Sequence, residues 1–592
     1  MSQPIENYTL LSDGESAALL CRDGSIDWLC WPRFDDDACF SALLGTPENG
    51  HWALHPIDTI LRQDRRYQDN TLVMETDFEV SGGAVRIIDF MPVGVESQSV
   101  IRIVEGLRGA VRMRSQLRLR FDYGALPPWT TSVDGTMEAR VGPDLVMLRA
   151  DCKLNVTDKS TDATFEVTTG ERVTFVMSYG RSHLPPPAPV DAEAELSATQ
   201  QYWNEWISTF DNSKTMWPAQ VKRSLLTLKA LIYRPSGAIV AAPTTSLPEA
   251  PGGRLNWDYR YCWLRDASFA LVALLNAGFH EEANEWRKWL LGAIAGSPEN
   301  IRIMYRVDGG RHMQERTLDS LQGYQYARPV RVGNAAGTQH QVDVLGEIVD
   351  CLDVARRAGL PATEQDCIVE QRILEHLEKV WNTPGSGIWE SRSEPRHYTY
   401  SRVMAWVAVD RFLSHRARTD VRASPIMERL TALRQTIRDE ICHEGWNEAL
   451  GSFTQYYGGH ELDASMLLLP LVGFLPVDDP RMASTIDTVQ RELSDGGLIR
   501  REKALAQGPN EGAFLACSCW MADCLQMQGR SGEARAQFER VLAVSNDLGL
   551  LSEQYNVPGK HLAGNFPQAL THLAIINTAL NLCGPTLQRG GG

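Results

Sequence analysis

Gly387-Ile388-Trp389-Glu390-Ser391-Arg392-Ser393-Glu394-Pro395-Arg396-His397-Tyr398-Thr399-Tyr400-Ser401-Arg402-Val403-Met404-Ala405-Trp406-Val407-Ala408-Val409-Asp410-Arg411 is the stretch on which the reading of this chain turns. From Tyr398 onward it is apolar on most faces, with small residues interspersed, as a buried helix is. The approach to that helix crowds together Glu390, Arg392, Arg396 and His397. Trp389 stands beside Glu390. An indole wall desolvates a neighbouring carboxyl group and raises its pKa toward general-acid duty.

Helices of the same apolar kind recur at about 265–277, 338–355, 398–413, 462–474, 511–527 and 566–583. Between them lie amphipathic, charged helices at about 217–232, 281–295, 363–380, 423–442, 480–494 and 531–546. Amphipathic helices cover a surface, and those apolar on most faces are buried. Six of each in alternation predict an all-α (α/α)6 barrel over 215–592, six inner helices wrapped by six outer ones.

The first 185 residues read differently. Short alternating runs such as Ser25-Ile26-Asp27-Trp28-Leu29 and Val173-Thr174-Phe175-Val176-Met177 are separated by turn pairs such as Asp13-Gly14 and Asp134-Gly135. Many short strands at this spacing predict an antiparallel β-sandwich over 1–185. Four prolines between Leu184 and Pro189 open an expected linker at 186–214. The sandwich is expected to act as a structural cover on the barrel, because no exposed aromatic row marks it as a sugar-binding module.

Bulk properties narrow the function. A formal charge of −16 argues against nucleic acid as a partner. No apolar run is long enough to span a bilayer, and the N-terminus lacks the pattern of a secretory signal. Twelve cysteines without framework spacing suit a reducing compartment, so a cytoplasmic location is expected. Cys517, Cys519 and Cys524 lie in an apolar helix without histidine at ligand spacing, and read as buried thiols. No metal and no cofactor are expected. A P-loop, a His-Glu-x-x-His pair, a Gly-x-Ser-x-Gly elbow and a dinucleotide fingerprint are all absent from the sequence.

The unusual residues gather just before the apolar helices, in loops that parallel inner helices bring to one rim. They include Asn256 to Asp266, Tyr324 to Ala336 with Arg328 and Arg331, Glu390 to His397, Tyr456 to Asp463, Arg501 to Glu511, and Leu551 to His561 with Lys560. Aromatic faces, acids and guanidinium groups converging on one cleft suit a neutral polyhydroxylated ligand. Glu390 and Glu553 are the carboxyl pair such a cleft needs for glycosidic cleavage. Glu347, inside an inner helix, is the rival acid. An inactive carbohydrate-binding protein is the competing reading from another class, and it does not need a paired acid and base.

At these residues the chain resembles glycoside hydrolase family 15, which holds glucoamylases and prokaryotic trehalases. The resemblance rests on Cys262-Trp263-Leu264-Arg265-Asp266, Gly387-Ile388-Trp389-Glu390 and Leu551-Ser552-Glu553-Gln554-Tyr555. It extends to Asp23-Gly24-Ser25-Ile26-Asp27-Trp28 and Arg33-Phe34-Asp35, which look like the two-domain bacterial branch. It implies Glu390 as general acid and Glu553 as general base of an inverting, exo-acting α-glucoside hydrolase. It further implies that Arg265 and Asp266 grip the non-reducing-end glucose and that Trp389 walls the next subsite. Trp263, Arg396, His397, Arg501 and Tyr555 are the remaining expected substrate contacts. Where fungal glucoamylases often carry a second glutamate after the acid, this chain has Ser391.

The expected substrate is a small α-glucoside. Trehalose is favoured, since the arginines crowded near the two acids suit a closed site for a sugar without a reducing end. A glucoamylase-like, maltooligosaccharide or isomaltose glucohydrolase is the alternative.

Overall fold

The structure, a computed structural model, describes residues 3–418, 425–503, 511–587 and 589. Within 8–181 the alternating runs form two antiparallel sheets. One holds Tyr8–Ser12, Ala17–Cys21, Ser25–Cys30, His51–Pro56 and Thr161–Thr168. The other holds Ile60–Tyr67, Met74–Val80, Gly83–Phe90, Arg172–Arg181, Asp144–Ala150, Thr136–Val141 and Trp129–Val133. A 20-residue strand, Ser99–Arg118, belongs to both. Its first half pairs with Gly83–Phe90 and Arg172–Arg181, and its second half with His51–Pro56 and Thr161–Thr168.

Side chains from both sheets meet in the sandwich core. Trp52 of one sheet packs edge-on against Phe175 of the other, ring centres 6.4 Å apart. Arg102 is fully buried there, its charge answered by Asp89 at 2.6 Å and its other donors by the carbonyls of Trp52 and Gly24. A buried guanidinium tolerates this position only because its donors are met.

The stretch expected as a linker carries a helix, Ala192–Ile207, whose first N–H groups are capped by the Asp191 carboxylate. Trp206 at its end stacks on Phe279 of the barrel at 4.2 Å, so the segment is packed down rather than loose.

Beyond it the twelve helices read from the periodicity form within a few residues of their expected bounds. The inner ring is Ala267–Ala277, Asp343–Arg357, Thr399–Arg418, the short Ala464–Leu467 turn with Leu468–Leu471, Leu515–Met527 and Ala569–Asn581. Outer helices are Pro218–Ala230, His280–Ala293, Glu364–Val380, Pro425–Glu444, Pro480–Glu492 and Ser531–Ala543. Ala569–Asn581 packs against both Ala267–Ala277 and Pro218–Ala230, which closes the ring. Outer helices begin on local signals: Thr363 and Asp366 exchange side chain-to-backbone bonds in a capping box before Glu364–Val380.

The fourth inner helix is shorter than the expected 462–474. Asp463 caps a 3-10 turn, Pro470 lacks an N–H to continue the ladder, and Gly473 turns the chain at φ 75°.

The sandwich is braced on the loops that feed the barrel mouth. Trp28 Nε1 donates to the Pro243 carbonyl at 2.7 Å. Arg260, buried, is bidentate on Asp258 and reaches the Asp36 carbonyl and the Tyr123 hydroxyl of the sandwich. Arg306 pairs with Asp35 and Asp36. Among the described residues no helix is long and apolar enough to cross a membrane.

Candidate active site

The loops leading into all six inner helices line one cavity of about 460 Å³. The first contributes Glu249, Trp257, Tyr259 and Arg265, and the second Asn334 and Ala336. Trp389, Glu390, Arg392 and Arg396 come from the third, and Gln455, Tyr456 and Glu461 from the fourth. The fifth supplies Arg501, Glu502, Glu511 and Phe514, and the sixth Glu553. Of the fifth loop, residues 504–510 lie outside the described residues.

Glu390 is presented by a tight turn. Its own φ is 59°, a conformation side-chain-bearing residues rarely adopt and one that costs about 1–3 kcal/mol. The turn closes through Glu390 N–H to the Gly387 carbonyl and Ser391 N–H to the Ser386 carbonyl. Gly387, at φ 70°, lies against the Tyr398 ring, where an added Cβ would come within 2.7 Å. Glu390 Oε1 accepts from Trp263 Nε1 at 2.5 Å and from Arg265 Nη1 at 3.2 Å. Among the described residues nothing donates to its Oε2. Burial raises the Glu390 pKa, opposed first by the Arg265 charge and then by the Trp263 hydrogen bond.

Glu553 is arranged in the same way. Its Oε1 accepts from the Tyr259 hydroxyl at 2.7 Å, and among the described residues its buried Oε2 has no donor. Gly564 closes in beneath: a Cβ there would lie 2.9 Å from Oε2. Burial pushes the Glu553 carboxyl up to about 7, against the pull of Arg501 and the Tyr259 hydroxyl. Each of the two acids thus has one oxygen anchored and one left over.

A charge cluster surrounds Glu553. Arg501 Nη2 donates to Glu249 at 3.0 Å and to Glu511 at 2.6 Å, and its guanidinium lies over Trp389 and Phe514. Glu249 Oε2 also accepts from the side chain of Gln554, the residue after Glu553. Burial holds Glu249 well above the ordinary carboxyl range. Trp389 is fixed by its indole N–H on Asp463, which Gln455 also bonds.

Expected contacts fall into three groups. Trp389, Glu390, Arg265, Arg396, Arg501 and Glu553 line the cavity. Trp263 and Asp266 stand one layer behind, Trp263 on Glu390 and Asp266 on Arg265 Nε at 2.9 Å. His397 and Tyr555 do not line it. The His397 ring is held by Arg402 and stacks on Tyr457, while Tyr555 belongs to a short strand, Gln554–Asn556. Arg328 and Lys560 are exposed beyond the lining.

Glu347, the rival carboxylate, does not line the cavity. It is buried inside the barrel, its oxygens taken by Ser268, Tyr400 and Arg589. Cys517, Cys519 and Cys524 are buried free thiols. Glu249 and Tyr259 carry no sequence signal of a role at the site, although Tyr259 stands within Asn256 to Asp266 and Glu249 just before it.

A twelve-helix barrel whose mouth holds two half-anchored carboxyl groups, one buried and one half-buried, among guanidinium and aromatic side chains is the architecture of a glycoside hydrolase. Residues 219–580 match the family model described as glycosyl hydrolases family 15, and residues 1–203 that described as trehalase-like, N-terminal. A trehalase of Mycobacterium tuberculosis is 35% identical over 615 residues, covering 98% of this chain and 89% of that protein. A trehalase of Thermoplasma acidophilum is 35% identical over 579 residues, covering 95% and 98%. A bacterial glucoamylase crystallised with acarbose superposes with a TM-score of 0.74 at 12% identity, covering 98% of this chain and 94% of that one, a likeness of fold. The chain belongs to glycosyl hydrolase family 15.

Proposed function

We propose that this glycoside hydrolase cleaves trehalose with inversion, giving two glucoses, with Glu390 as general acid and Glu553 as general base. The observation that carries the assignment is the matched pair of half-anchored carboxyls. Trp263 and Arg265 occupy Glu390 Oε1, so the proton resides on Oε2. Tyr259 occupies Glu553 Oε1, and an ionised, buried Oε2 requires a donor, which an attacking water supplies.

In the reaction Glu390 gives its proton to the glycosidic oxygen as the bond to C1 breaks. Water attacks C1 from the opposite face and passes a proton to Glu553. The attacked ring leaves as β-glucose and the leaving ring retains its α configuration. Arg265, fixed by Asp266, reaches the Ile388 carbonyl and Glu390 together and is placed to meet hydroxyls of the attacked ring.

Trehalose as substrate is supported by the relatives bearing that name over nearly the whole chain. The scattered cysteines support action on small sugars in a reducing compartment. Parallel kcat/KM values on trehalose, maltose, isomaltose and soluble starch test it. Trehalose is expected to rank first; a higher value for maltose or isomaltose removes trehalose as the substrate.

A further inference from the structure

The loop that presents Glu390 continues into a wall the mechanism does not use. Two residues on, Arg392 makes a two-pronged pair with Glu315, Nη1 to Oε1 at 3.0 Å and Nη2 to Oε2 at 2.5 Å. Its guanidinium lies 3.9 Å from the centre of the Trp257 indole. Arg331 lies over the same ring at 4.4 Å, with its Nε 3.3 Å from Glu315 Oε1. Trp257 and Arg392 both line the cavity. A guanidinium has five N–H donors. Those of Arg392 not used on Glu315 find no acceptor among the described residues, and Arg392 is the wall's partly exposed member.

The sandwich secures this wall. Arg316, next to Glu315, reaches Asp122 at 3.2 Å and Asp37 at 3.5 Å, both in the N-terminal part. Asp258, next to Trp257, is clamped by Arg260, which is itself bound into the sandwich. A guanidinium held by a carboxylate and an aromatic face is pre-organised, and loses little freedom on binding a sugar.

In an inverting glycosidase the acid stands on the side of the leaving group and the base on the side of the water. Arg392 shares its loop with Glu390. We propose that Arg392, held by Glu315 and Trp257 and braced from the sandwich, recognises the hydroxyls of the leaving sugar and so sets the preference for a disaccharide. The proposal rests on Glu390 being the acid.

The test compares a substrate that has a leaving sugar with one that lacks it. Values of kcat/KM for trehalose and for α-glucosyl fluoride are measured in wild type, Arg392→Ala, Arg392→Lys and Glu315→Gln. Loss of a charge-assisted hydrogen bond lowers the trehalose-to-fluoride ratio about 10–100-fold in Arg392→Ala. Arg392→Lys recovers little of it, because a lysine cannot reproduce the fork. Glu315→Gln, which leaves Arg392 in place but slackens its anchor, moves the ratio the same way by less. An unchanged ratio in both Arg392→Ala and Glu315→Gln overturns the proposal. Should wild type cleave maltose but not trehalose, the trehalose assignment fails, and the maltose-to-fluoride ratio still decides the role of Arg392.

Discussion

The hydroxyl of Tyr259 donates to Glu553 Oε1 at 2.7 Å across 294 residues of chain, and leaves Oε2 as a buried oxygen without a donor among the described residues. That bond stabilises the carboxylate form and counteracts the burial that pushes Glu553 up to about 7. Tyr259→Phe removes it. Glu553 then ionises at higher pH, so, with Glu553 as the proposed base, the acid limb of kcat/KM is expected to move upward and kcat to fall about 10–100-fold. A pH profile of the variant checks this. A limb that stays in place or moves down contradicts the bond's role.

The two acids separate by leaving group. Glu390→Ala is expected to impair trehalose far more than α-glucosyl fluoride, because only the sugar oxygen needs protonation to depart. Glu553→Ala is expected to impair both, with partial recovery by a small anion such as azide. Kinetics on the two substrates, with and without azide, read the assignment directly. The opposite pattern exchanges the roles.

Gly564 sits beneath Glu553 at φ 78°, where a Cβ would come within 2.9 Å of Glu553 Oε2 and 3.0 Å of its Cβ. Gly564→Ala is therefore expected to move Glu553, lowering kcat at least tenfold. Its cost in stability is about 1–2 kcal/mol, from the left-handed backbone. Thermal unfolding and kcat measured together separate the two effects, and a loss of stability with kcat intact contradicts the close fit.

Away from the cavity, Asp523 is buried between Leu515–Met527 and Ala569–Asn581, bonded by Thr578 at 2.9 Å and Asn581 at 3.2 Å. Burial raises it from 3.8 to about 7. The folded state holds this proton more tightly than the unfolded one, so its contribution is complete below about pH 4 and is lost as pH rises to about 7. Asp523→Asn keeps the neutral shape and is expected to flatten the fall in Tm across that window. Parallel Tm–pH curves with the same slope for both proteins contradict the assignment.

Helical periodicity made the barrel legible because each inner helix is apolar over most of its surface while each outer one is charged on one side. Leu468–Leu471 departed from the pattern, since Pro470 and Gly473 end it locally. Glu390, Trp389 and Glu553 were legible from their short motifs. His397 and Tyr555 belonged to the same motifs yet turn elsewhere, one held by Arg402 and the other by strand pairing. What spacing does not reveal is contact between distant segments. Glu249 meets Gln554 across 305 residues, and Glu315 meets Arg392 across 77, so neither partner is visible from its own stretch of chain.

The central claim is inversion by Glu390 and Glu553 on trehalose, and the anomers of the first product test it most directly. Proton NMR of glucose released from trehalose, recorded before mutarotation, is predicted to show α- and β-glucose in equal amounts. The β anomer comes from the attacked ring and the α anomer from the leaving one. Early product consisting of α-glucose alone means retention, and contradicts the account.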